Sequence, residues 1–147
     1  MDDLVDLTTK KSLIKNQACF AQLTDEEATE LAGILAEKRF SAGDTIVTEG
    51  DPVDSVYFIV SGTADVRHVT IKDNQPQVES VAKLSEEDAI GLNETGFYSL
   101  SGRRTATVVA ATDMLLLHLR IPAFHGFALA HSHVSELMRR YTATIPS

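Results

Sequence analysis

The chain lacks several features that would place it quickly, and each absence excludes something. Cys19 is the only cysteine in 147 residues, so no internal disulfide can form. The N-terminal stretch MDDLVDLTTKKSLIKN lacks the apolar core, roughly 7 to 15 residues, that a secretory signal requires. The longest apolar runs, such as Met114 to Leu117, fall far short of the ~20 residues of a membrane span. Basic charge is scarce, with 13 Lys and Arg against 21 Asp and Glu, a net charge of −8. Nucleic acid and anionic membranes would repel such a surface, although a local basic pocket stays open. The expectation is a soluble cytoplasmic protein with neither as a partner. With 44% hydrophobic residues, the length suits one domain with a sizeable core.

What is present reads first as a helix and then as short strands. Thr24-Asp25-Glu26-Glu27 is a capping box, in which Thr24 and Glu27 satisfy each other's backbone N–H groups. Ala28, Leu31, Ala32 and Leu35 follow at helical spacing, with Glu30, Glu37 and Lys38 left for water, so the helix is expected to run to Arg39-Phe40. After the turn Ser41-Ala42-Gly43-Asp44 the period becomes two. Strands are predicted over 45–48, 55–61, 64–71, 78–84, 105–111 and 114–119. Turns containing Gly50-Asp51-Pro52, Ser61-Gly62, Asp73-Asn74-Gln75-Pro76 and Thr112-Asp113 separate them. The connections are too short for parallel crossovers, so the pattern implies an antiparallel sandwich or barrel. Beyond Pro122, residues 123–130 suit a short helix, and Val134, Leu137, Met138 and Tyr141 form a stripe on another. Residues 1–19 read as a loosely docked arm.

Residues 91–108, GLNETGFYSLSGRRTATV, carry the main chemical signal. Glycine-punctuated loops let backbone N–H groups converge on an anion, and an arginine at the exit supplies a planar fork that matches phosphate oxygens. The same stretch also reads as a surface loop with two solvated arginines.

The wider pattern resembles the cyclic nucleotide-binding domain family. Gly43-Asp44, Glu49-Gly50-Asp51 and residues 54–62, DSVYFIVSG, are similar to its early strands, where a Gly-Asp … Gly-Asp … Tyr-Phe-Ile … Gly pattern recurs. Leu84, Asp88, Ile90 and Gly91 resemble the entry to its phosphate-binding cassette, and Arg104-Thr105-Ala106-Thr107-Val108 its Arg-x-Ala-Thr/Ser-Val exit. The resemblance spans residues 20–141. It implies a mainly β fold with flanking helices: an antiparallel double-stranded β-helix, or jelly roll, of about eight strands with N- and C-terminal helices. The domain would occupy residues 20–147, behind the arm of residues 1–19.

By that resemblance the ligand is cAMP or cGMP, with no other cofactor, and the site comprises Gly91, Leu92, Asn93, Glu94, Arg104, Thr105 and Ala106. Arg104 would pair with the phosphate, leaving Arg103 to solvent. The family's usual Gly-Glu at the cassette entry, whose glutamate accepts from the ribose 2′-hydroxyl, is Gly91-Leu92 here. Leucine cannot accept that bond. The interval to Arg104 is a few residues longer than usual, which lets Glu94 or Asn93 take over in a shifted register. Without such rescue the loss is about 1.5 to 3 kcal/mol, or roughly 10- to 150-fold in affinity. Thr105 reads equally as a strand residue or as a hydroxyl facing phosphate or the 2-amino group of guanine. The Val134 stripe is core packing or a lid, with Met138 or Tyr141 over the base.

Two functions therefore stand. One is a regulatory sensor with slight preference for cAMP over cGMP, signalling through its C-terminal helix to an effector domain, a separate protein or a homodimer. The other is a nucleotide-free protein-interaction module on the same fold. The stretch after Pro122 leaves no room for a helix-turn-helix, so DNA binding by this chain is not expected. Other constellations are weaker. His131-Ser132-His133 would point to nearly opposite faces of a helix, which speaks against a metal site. His68, His118 and His125 are scattered surface residues. Residues 96–105 superficially match a P-loop but carry the wrong spacing and arginine in place of lysine. Ser99, Ser101 and Cys19 have no adjacent base, so no enzyme is expected.

Overall fold

The computed structural model describes residues 5–17, 20–93, 96–97, 103–134 and 136. Helices α1 (Leu7–Lys15) and α2 (Asp25–Gly33) lead into β1 (Ala36–Phe40), β2 (Thr45–Val47), β3 (Ser55–Ser61), β4 (Ala64–Lys72) and β5 (Gln75–Leu84). Three two-residue strands follow: β6 (Ala89–Ile90), β7 (Leu92–Asn93) and β8 (Gly96–Phe97). Then come β9 (Thr107–Ala110), β10 (Met114–Arg120) and α3 (Ile121–Ala130). The strands form two four-stranded antiparallel sheets, ordered β1-β10-β3-β6 and β2-β9-β4-β5, with β7 and β8 paired apart. This is the expected mainly β jelly roll.

The first sheet is apolar on both faces. Along β3 and β10, Val56, Phe58, Leu117 and Leu119 pack with Leu13, Ile14, Phe20, Leu31 and Phe124 of the helical layer. Ile59, Met114 and Leu116 point the other way, into a second cluster with Ile46, Val47 and Val108. The uninterrupted Met114 to Leu117 run is thus a strand buried from both sides, with its neighbours divided between two cores.

Two expectations are corrected. Helix α2 has the capping box, with Glu27 N–H donating to Thr24 Oγ1 at 3.1 Å and Thr24 N–H to Glu27 Oε1 at 2.8 Å. It nevertheless ends at Gly33, and the residues expected to continue it form β1, paired with β10 from Ala36↔His118 to Phe40↔Met114. Ala36, Glu37 and Lys38 favour helix locally, but a glycine weakens the last turn and the open edge of β10 supplies backbone partners. The supposed arm contains α1, capped by Asp6, whose side chain accepts from Thr9 N–H at 2.8 Å. Leu13 and Ile14 from α1 are buried in the helical-side core, so α1 is packed and not loosely docked.

Strand ends moved as well. β5 begins at Gln75 because the reversal needs only Asp73 and Asn74, at φ 53° and 63°. Such paired left-handed residues match the twist of a tight hairpin. Pro76 is tolerated because β5 is the sheet's edge. β9 begins at Thr107, which leaves Thr105 in a bend ahead of it.

Candidate functional site

Arg104 is held by its backbone before its side chain is considered. Its N–H donates to Asp51 O at 2.7 Å, and its carbonyl accepts from Gly50 N–H at 2.8 Å. The Gly50-Asp51-Pro52 turn, with Gly50 at φ 90°, thereby fixes the residue just before β9. Arg103 is exposed and donates from Nη1 to Gly50 O at 2.9 Å, so it braces the same turn.

The Arg104 side chain turns inward and is only 8% exposed. Nη2 donates to Ser55 O at 2.8 Å, with Ser55 Oγ at 3.5 Å and Asp54 Oδ1 at 3.8 Å. Nη1 is buried and has no hydrogen-bond partner among the described residues. A buried guanidinium donor left unpaired is costly, and an anion is the partner that removes the cost. Burial draws the Arg104 pKa below its ordinary value, while Asp54, Tyr57 and Asp51 pull it back up. Arginine remains charged at neutral pH regardless.

Gly91 makes room for this arrangement. It sits at φ 95°, and a Cβ there would lie 3.0 Å from both Arg104 Nη1 and Val56 Cγ1. Beside them opens a cavity of about 600 Å³, whose walls include Val47, Val66, Val81, Leu84, Ile90 and Val108. Its volume and apolar lining, with few polar groups, suit a small organic ligand. The arrangement offers one buried cation, a close backbone approach and hydrophobic walls for the rest of the molecule.

Comparison with known proteins agrees with that chemistry. Residues 37–131 match the cyclic nucleotide-binding domain family. The chain belongs to that family. It is 34% identical over 122 residues to a cAMP-dependent protein kinase regulatory subunit of Colletotrichum orbiculare, covering 80% of this chain and 27% of the relative. It is 28% identical to the transcriptional activator protein FnrL of Cereibacter sphaeroides, covering 88% of this chain and 48% of the relative. The chain thus spans about half or less of these relatives' lengths. Among solved structures, the N-terminal domain of a transcriptional regulator from Streptomyces coelicolor A3(2) superposes with a TM-score of 0.73 at 27% identity, over 89% of each chain.

Within the cyclic nucleotide-binding domain, the predicted site residues fall into two groups. Gly91, Arg104, Thr105 and Ala106 all line the cavity. Thr105 does so from an exposed bend and not from a strand. The backbones of Leu92 and Asn93 form β7, paired with β8, whereas their side chains, Glu94, and the lid residues Met138 and Tyr141 lie outside the described residues. Val134 is fully buried in the helical-side core.

Sequence reading missed the far wall. Val53 lines the cavity, as do Val66, His68, Val81 and Ala82, and the β4–β5 pairing, Val66↔Ala82 and His68↔Glu79, puts the last four on one wall. His131 and His133 do not share one helix as expected. His131 is the extended C-cap of α3, at φ −132°, so the two rings are not two residues apart on one helix. Both reach α2, where His131 Nε2 contacts Glu30 and His133 Nδ1 lies 2.8 and 2.9 Å from the Glu27 carboxylate oxygens. Among the described residues no cluster of three metal-ligating side chains occurs. No described helix is long and apolar enough to cross a membrane, which does not address β-barrels.

Proposed function

We propose that this chain is a regulatory sensor domain that binds a cyclic nucleotide, with cAMP slightly preferred over cGMP, and performs no catalysis itself. The supporting observation is the inward-facing Arg104, whose Nη1 is buried without a partner at the wall of the cavity. The cyclic phosphate would take Nη1, Gly91 would admit it closely, and the apolar walls would cover ribose and base. Ligands in the family neighbourhood fit this view: one structural neighbour is a cAMP-bound kinase regulatory protein, and one relative is a cGMP-dependent protein kinase.

Transmission through the C-terminal helices has a physical route. Asp54 and Ser55 form the contact with the Arg104 guanidinium, and Asp54 O accepts from Ile121 N–H, the first residue of α3, at 2.9 Å. A phosphate that re-aims Arg104 would release the Ser55 carbonyl, one peptide along from the Asp54 carbonyl that anchors α3. The receiver would be a downstream effector domain, a separate effector protein or a second copy of the chain, in the cytoplasm. Coupling of about 1 to 3 kcal/mol between the two ends suffices for a switch.

Calorimetry with cAMP and cGMP tests the proposal. Wild type should bind at least one of them, and Arg104→Ala should weaken that binding by roughly 100-fold, the loss of about 3 kcal/mol. Leu92→Glu should tighten binding by roughly 10-fold or more if the ribose subsite keeps the usual register. Glu94→Gln should weaken it only if Glu94 is the acceptor in a shifted register. No heat from wild type or any variant would defeat the sensor and favour the nucleotide-free interaction module.

A further inference from the structure

Among the described residues, three polar side chains line the cavity: Arg104, Thr105 and His68. Arg104 and Thr105 are adjacent in sequence just ahead of β9. His68 comes from β4, one residue past Arg67, the last β4 residue paired with β9. His68 therefore stands where the β4–β5 hairpin extends beyond β9, on a different wall from the guanidinium, which is anchored at Ser55 of the other sheet. If Arg104 takes the phosphate with Thr105 beside it, the described walls left for the remainder of the ligand are valine, alanine, leucine and isoleucine, together with one imidazole.

That imidazole is positioned. Its Nδ1 lies 3.3 Å from Glu49 Oε1. The same oxygen accepts from Val69 N–H at 3.3 Å, while Glu49 N–H donates to Thr107 Oγ1 at 2.9 Å. Glu49 is thus tied to β4 and β9 while it faces the ring. In the Nδ1–H tautomer, which a carboxylate beside that nitrogen favours, Nε2 is an acceptor. Nε2 has no protein partner among the described residues.

We infer that His68 is the residue by which this domain discriminates nucleobases, favouring a purine that presents an amino donor at the edge facing β4 over one that presents a carbonyl there. The inference rests on the reading of the cavity as a cyclic nucleotide site. Valine and leucine walls accept the faces of any purine alike, so they contribute affinity without selecting an edge. A polar group that pairs with one base and opposes the other supplies selectivity that apolar contacts cannot. Adenine offers the 6-amino group, whereas hypoxanthine and guanine offer a 6-carbonyl whose lone pairs would face those of Nε2.

The test is titration calorimetry of the whole chain with cAMP and cyclic inosine monophosphate, which differ at that edge. Wild type should prefer cAMP by roughly 3- to 10-fold, the range of one neutral hydrogen bond. His68→Phe, which keeps a ring on β4 without its nitrogens, should bring the ratio to about 1, with the inosine nucleotide held about as before. Glu49→Gln, which removes the carboxylate at Nδ1 and leaves His68 in place, should lower the ratio as well and covers the case in which H68F fails to fold. A ratio unchanged in the variants that fold, with binding intact, overturns the inference alone. Failure of wild type to bind either nucleotide overturns the site reading and the inference with it.

Discussion

Gly91 illustrates how one residue without a side chain can serve two demands at once. Its φ of 95° is left-handed, which costs an L side chain roughly 1 to 2 kcal/mol. A Cβ would also press on Arg104 Nη1 and Val56 Cγ1 at 3.0 Å, and neither can yield easily because Val56 is fully buried and the guanidinium is nearly so. Gly91→Ala should therefore lower the urea midpoint and weaken ligand binding together, as read by chemical denaturation and calorimetry on the same preparation. A stable G91A protein with undiminished affinity would show that the cradle around Arg104 is looser than these contacts imply. His118 is informative at the same scale. It packs on Tyr57 with ring centroids 4.8 Å apart, and burial first, then Lys38, pushes its pKa below the ordinary 6.5. Its NMR titration midpoint should fall below that value.

At the scale of elements, α2 is the joint between the helical layer and the C-terminal end of the domain. Glu27 closes the capping box with Thr24 and also receives His133, from a residue 106 positions away. Glu30, one turn further along, meets His131. One short helix thereby ties down the segment just after α3, through carboxylates whose local task is to start and solubilise a helix. Thr24→Ala should cost about 1 kcal/mol, the usual price of a lost N-cap, seen as a lower denaturation midpoint at unchanged slope. Any accompanying change in nucleotide affinity would report coupling between α2 and the cavity, because Thr24 does not line it.

For the molecule as a whole, the titration behaviour has a definite sign. Several carboxylates are held below their ordinary range. Asp65 is lowered by the Ser80 hydroxyl and the Arg67 guanidinium. Glu79 is lowered by Thr70 and Lys72. For Glu27, burial pushes upward but is outweighed by Thr24 and His133. Each has a folded pKa below its unfolded value of 3.8 or 4.5, so the unfolded chain binds more protons as pH falls through that window. Their stabilisation is complete above the unfolded values and lost below them. His118 acts in the same direction at higher pH: its depressed folded pKa means that the unfolded chain takes up the proton first below 6.5. The melting temperature should therefore be nearly level above pH 7, decline slightly below 6.5, and fall steeply below about 4.5. A maximum of stability at pH 4 would contradict these assignments.

How much of this could be read from the chain alone depends on the range of the interactions concerned. Residues whose role is local were legible: the Thr24–Glu27 cap, the β-rich run of residues 55–61 and the Pro122 helix start, whereas Arg104 stood out from Arg103 only through the family resemblance. Periodicity and capping chemistry act within a few residues, so amino-acid types state them directly. Tertiary pairing decided the rest. Residues 36–40 favour helix until β10 offers its edge, α1 looks like a polar arm until Leu13 and Ile14 find the core, and His68 is one scattered histidine until β4 and β5 bring it to the wall of the Arg104 cavity. Those outcomes depend on partners tens of residues away, and a backbone edge or a shared cavity exists only once both sheets have closed.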